Sequence, residues 1–80
     1  DIGIGQNIRA LRKARGLTQD QVVAQMQILN ISLSRPSYVK IEGNKHNLRI
    51  SDLLALQRIF KCDFYDFFQN LSLPNPKTMK

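Results

Sequence analysis

Cysteine and histidine each occur once in this sequence, as Cys62 and His46, and tryptophan does not occur at all. A single cysteine excludes an internal disulfide, and one of each excludes a zinc site built from Cys and His, so no metal is expected. A lone cysteine also fits a reducing compartment. No apolar run approaches the roughly 18 residues that a membrane-spanning helix needs, and the first residues lack the pattern of a secretion leader. A cytoplasmic location and no membrane partner are therefore the expectation. Paired carboxylates, a nucleophile–histidine set and a glycine-rich phosphate loop are also missing, and Gly3 and Gly5 follow no strand signal. Neither an enzyme nor a cofactor or small-molecule ligand is expected.

Acids are scarce too: six Asp and Glu face twelve Lys and Arg, a formal net charge of +6. The excess is uneven. Residues 1–49 carry eight cations against Asp1, Asp20 and Glu42, a net of +5, whereas residues 50–80 carry four against Asp52, Asp63 and Asp66, a net of +1. A basic half joined to a near-neutral half suits a face built for a polyanion. Charge alone does not separate that reading from an ordinary protein of high pI.

What is present is helical spacing, without sustained period-2 alternation or hairpin turns. Ile4, Ile8 and Leu11 share one face of a first helix that ends at Gly16. Thr18 and Gln21 form a capping box for a second helix carrying Val22, Val23, Met26 and Leu29, with Asn30 as a left-handed stop. Ser34 caps a third, in which Pro36 is tolerable because first-turn amides need no partner inside the helix; Gly43 and Asn44 close it. Ser51 opens a fourth helix through Leu53, Leu56 and Phe60, and Asp63 caps a short aromatic fifth with Phe64, Tyr65, Phe67 and Phe68. The spacing predicts an all-α, compact five-helix bundle, a single domain over residues 1–71, and a flexible tail over residues 72–80.

Three segments, "IRALRKARGLTQ", "SLSRPSYVKIEGNK" and "ISDLLALQRIFKCDFYDFF", stand collinear from about Gly5 to Phe68. Together they resemble the lambda-repressor-like, Cro/CI-type (XRE) helix-turn-helix family. The resemblance implies a DNA-binding domain whose second and third helices form the helix-turn-helix, the third entering the major groove of a double-stranded operator. Tyr38 and Ile41 would hold that helix to the core. Its outward residues would then meet base edges: Arg35 suits guanine O6 and N7, Lys40 suits guanine or phosphate, and Pro36 and Val39 offer only apolar contact. Val39 reads equally well as partly packed, and Ser37 borders the same face.

Gln19 matches the family position that contacts phosphate and braces the recognition helix, with Ser34, Asn44 and Lys45 as further backbone contacts. His46 and Arg49 read either as additions to these or as a solvated loop. Arg9, Lys13 and Arg15 are assigned to a solvated face. Arg12 and Glu42 are implied to pair internally, tying the first helix to the third.

Two departures from the family pattern are visible. "AQMQILNISLS" adds about four residues before the third helix, resembling a subset of the family with a longer second helix; it is expected to extend the core through Ile28, Ile31 and Leu33, the other reading being contact with DNA through Asn30 or Ser32. Val23 stands where many relatives have alanine. Phe64, Phe67, Phe68 and Leu71 are candidates for a dimer patch, the other reading being a large aromatic core. The leading expectation is a sequence-specific transcriptional regulator, a repressor or autoregulator, acting as a homodimer by occupying its operator. The alternative is an antitoxin-like or other protein-interaction module that uses the aromatic C-terminal helix.

Overall fold

Short-range chemistry sets most of the helix ends. The computed structural model describes residues 3–45 and 47–69, and every regular element among them is helical. α1 (Gly5–Ala14) is followed by Gly16 at φ +69°, a left-handed conformation that glycine adopts without strain. α2 (Gln19–Ile28) opens on a reciprocal capping box: Gln21 N donates to Thr18 Oγ1 at 3.1 Å, and Thr18 N to Gln21 Oε1 at 2.8 Å. Asn30, at φ +66°, turns the chain after it. α3 (Arg35–Glu42) starts from Ser34, whose Oγ accepts from Ser37 N at 3.3 Å, and Asn44 at φ +60° follows its end.

α4 (Ile50–Phe60) begins one residue before Ser51, because Asp52 reaches back to accept from Arg49 N at 3.1 Å and is itself buried. α5 (Phe64–Phe67) is a single turn in which Asp66 Oδ2 accepts from Asp63 N at 3.0 Å. The segment assigned to a tail, with Leu71, lies outside the described residues, as does His46.

The core gathers Ile8 of α1, Val22 and Met26 of α2, Tyr38 and Ile41 of α3, Leu56 and Phe60 of α4, and Phe67 of α5. α2 packs on both α3 and α4, while α1 packs on α3 and α5. Each large side chain removed from water contributes about 1.5–3 kcal/mol, enough for a domain this small to fold around one cluster. Cys62 is buried too, and burial pushes its thiol above the ordinary range.

Two expectations change. Phe67 is fully buried and belongs to the core, not to a surface patch; one turn of helix cannot bury all four aromatics, and Phe64, Tyr65 and Phe68 are the ones left exposed. Ile28 is 79 % exposed, because the core face of α2 runs through Val22 and Met26; Ile31 and Leu33 do pack against the core. Arg15 is exposed, as expected of a solvated face, and it also covers the end of α4: its Nε donates to Phe60 O and its Nη2 to Lys61 O at 2.9 Å.

α1 and α3 meet at unusually close range. A Cβ on Gly5 would fall on the carbonyl oxygens of Ile41 and Glu42, and Gly5 N donates to Asn44 Oδ1 at 2.7 Å. Only glycine permits this approach, which fixes the start of α1 to the end of α3.

Candidate nucleic-acid interface

A polar network centred on Glu42 ties the start of α2 and the end of α1 to the end of α3. Arg12 Nε donates to Glu42 Oε2 at 2.6 Å and Arg12 Nη2 to Glu42 Oε1 at 3.2 Å, a two-pronged ion pair with both residues buried. Arg12 Nη1 also donates to Leu17 O at 2.9 Å, fixing the α1–α2 turn. Gln19 Nε2 donates to the same Glu42 Oε1 at 3.2 Å, so the first residue of α2 is braced against the last residue of α3.

Burial pushes the Glu42 carboxyl up, but Arg12, the Tyr38 phenol and Gln19 outweigh it and hold the carboxyl below the ordinary glutamate range. The hydrogen bond to Glu42 raises the Arg12 guanidinium further above its already high value. The Tyr38 hydroxyl is fully buried and lacks a hydrogen bond of good geometry; burial first, and the Glu42 carboxylate second, push it far above the tyrosine range. The cluster is therefore a neutral phenol beside a fixed ion pair.

Above this network, α3 presents its other side to solvent. Arg35, Pro36 and Lys40 are exposed, Val39 is 43 % exposed, and Ser37 is half-buried. Lys45 is exposed just past the helix, its backbone N donating to Lys40 O at 2.8 Å. Arg9, Thr18, Gln19, Val39 and Gly43 line an open groove of about 540 Å³ between α1, the start of α2 and α3. Its walls place an arginine and a helix N-terminus together, an arrangement that suits an anion.

Other residues named from the sequence are more fully occupied. Ser34 Oγ is taken up by the helix cap and donates to Ser37 Oγ at 3.0 Å. Asn44 turns its carboxamide oxygen inward to Gly5, leaving its role primarily one of holding α1 against α3. The extra residues between α2 and α3 carry their apolar side chains toward α4, not toward the Arg35 face: Leu29, Ile31, Ser51 and Leu54 border a common groove.

Sequence reasoning missed Asp20. It is exposed in the first turn of α2, and its Oδ1 lies 3.4 Å from Arg35 Nε. An acid there reads from sequence as an ordinary helix-start residue, and nothing local couples it to a residue on the next helix.

A family model described as a helix-turn-helix domain matches residues 5–72, most of the chain. No curated protein and no solved structure matches it at significant similarity.

Proposed function

Because the chain belongs to the XRE-type helix-turn-helix family of DNA-binding domains, we propose that it is a sequence-specific transcriptional regulator, a repressor or autoregulator that acts by covering its operator. One observation carries the reading. The side of α3 opposite Tyr38 and Ile41 exposes Arg35, Pro36, Val39 and Lys40, at the start of a helix held to the core by a buried ion pair. A helix inserted into the major groove needs that division between a fixed inner side and a reading outer side.

The roles follow from chemistry. Arg35 presents a fork that matches guanine O6 and N7, Lys40 reaches guanine or phosphate, and Pro36 and Val39 offer apolar contact to a thymine methyl. Ser37 sits at the edge of this group. Gln19, Lys45 and the walls of the adjoining groove meet the sugar-phosphate backbone and set register, with Ser34 and Asn44 contributing through the helix and turn they stabilise. The protein acts by binding, not by catalysis.

Homodimerisation belongs to the same proposal. One recognition helix contacts few base pairs, and two copies would read half-sites about 34 Å apart. The half-exposed Phe64 and Phe68, which have no covering element among the described residues, support a contact between α5 helices.

The test is selection of bound duplexes from a random DNA pool at near-physiological salt. An enriched inverted repeat is expected. A single enriched half-site would remove the dimer and keep the regulator. Salt-sensitive binding with no enriched sequence would overturn the proposal and favour the interaction module, with Phe64, Tyr65 and Phe68 as its surface.

A further inference from the structure

Asp20 is the only exposed acid among the described residues from 3 to 60, where Asp52 and Glu42 are buried and Arg9, Lys13, Arg35, Lys40 and Lys45 are exposed cations. An exposed carboxylate at a DNA-facing helix start lowers affinity for every sequence, because it subtracts from the positive charge that releases counterions. Asp20 lies in the first turn of α2, where the helix dipole favours an acid in addition to the hydrogen bonds of the Thr18–Gln21 box. The dipole gives no account, however, of its contact with Arg35, fifteen residues away on the first position of α3.

The direction of that contact matters. Asp20 Oδ1 approaches Arg35 through Nε at 3.4 Å, and the arginine side chain stays 59 % exposed. A carboxylate on Nε leaves the outer edge of the guanidinium, formed by Nη1 and Nη2, free to face away from the protein. That edge is the one whose geometry fits guanine O6 and N7. Arginine is otherwise a long, mobile side chain with many rotamers, and beside a DNA strand its nearest partners are phosphates, which carry no sequence information. A cation at the N-terminus of α3 is also disfavoured by the helix dipole, and the Asp20 charge offsets that.

We propose that Asp20 is a specificity-determining positioning residue: it holds the Arg35 fork toward the base edges and away from the phosphates, giving up general DNA affinity for base discrimination. The inference rests on the reading of α3 as the recognition helix.

The experiment compares wild type, Asp20→Asn, Asp20→Glu, Arg35→Ala and Asp20→Asn/Arg35→Ala on three kinds of probe. These are the duplex recovered by selection, the same duplex with each base pair replaced in turn, and a duplex of random sequence. Arg35→Ala identifies the base pair that Arg35 reads. At that base pair Asp20→Asn is expected to lose discrimination by about fivefold or more, and at other base pairs to leave it unchanged. Its affinity for random duplex should rise about fivefold near 0.15 M salt, with the log–log salt slope steeper by about 0.9. Asp20→Glu should keep most of the discrimination, and in the Arg35→Ala background Asp20→Asn should change it no further.

Unchanged discrimination in Asp20→Asn at the Arg35 base pair would overturn the proposal while leaving α3 as the reader. An equal loss at every base pair, accompanied by a lower melting temperature, would reduce Asp20 to a structural residue and overturn it as well. If Arg35→Ala alters discrimination at no base pair, the reading of α3 itself falls, and this inference with it.

Discussion

Replacing Glu42 by alanine should destabilise the fold more than any exposed substitution, and the size of the effect can be worked from its partners. The carboxylate accepts from Arg12 Nε and Nη2 and from Gln19 Nε2, and its residue is 8 % exposed. Removal leaves the Arg12 guanidinium buried with only the Leu17 carbonyl as partner. A buried charge stripped of its partner costs about 3–5 kcal/mol. Arg12 also lines the open groove, so partial escape to solvent favours the lower end, about 3 kcal/mol. Total stability for a chain this size is roughly 4–12 kcal/mol, so about a quarter to three-quarters of it would be at stake.

For a small domain each kcal/mol moves the melting temperature by about 4–8 °C, which puts the expected fall at more than about 10 °C. Urea unfolding followed by circular dichroism gives the free energy directly. The double variant Arg12→Met/Glu42→Leu should recover much of the loss, since an apolar pair of similar volume replaces a desolvated ion pair at little net cost. A fall of less than about 1 kcal/mol for Glu42→Ala, the ordinary range for an exposed ion pair, would refute the reasoning.

Acid should weaken the same cluster. The Glu42 carboxyl is held below its ordinary value of 4.5, so its contribution is complete above that pH and is lost as pH falls below it. Thermal melts at a series of pH values should therefore show a smaller loss below pH 4.5 in Glu42→Gln than in wild type, and parallel curves would count against it. Gly5→Ala should destabilise by at least about 1 kcal/mol, since its methyl group would meet two carbonyl oxygens of α3 that cannot move aside independently; an unchanged melting temperature would contradict the close α1–α3 contact. The aromatic turn separates two cases: Phe67→Ala should cost about 3–5 kcal/mol as a core truncation, whereas Phe68→Ser should leave stability nearly intact and weaken dimerisation in light-scattering measurements. A monomer at all concentrations in wild type would remove the dimer.

The helix boundaries were legible because they are local. Thr18 and Ser34 carry their capping partners within three residues, and Gly16, Asn30 and Asn44 suit the left-handed turns they occupy. The Arg12–Glu42 pairing was implied by the family resemblance and not by spacing, since its partners are thirty residues apart.

Contacts made by tertiary approach left no local trace. Asn44 caps α1 from the end of α3, Arg15 covers the end of α4, and Asp20 meets Arg35 across two helix starts. The aromatic turn was ambiguous for a different reason. Phe64, Tyr65, Phe67 and Phe68 crowd a single helical turn, which has no periodicity to say which one points inward, and packing against α1 decides for Phe67. Ile28 is ambiguous in the same way, since an apolar residue at a helix end fits a core continuation as well as the exposed edge it occupies.

The central claim is that DNA is read by the start of α3, and nitrogen-15 NMR of the labelled protein titrated with its selected duplex tests it most directly. The account predicts the largest amide and side-chain shifts at Gln19, Arg35, Val39, Lys40 and Lys45, with Ile28 and Leu54 unmoved. Shifts confined to Phe64, Tyr65 and Phe68, with Arg35 and Lys40 silent, would contradict it.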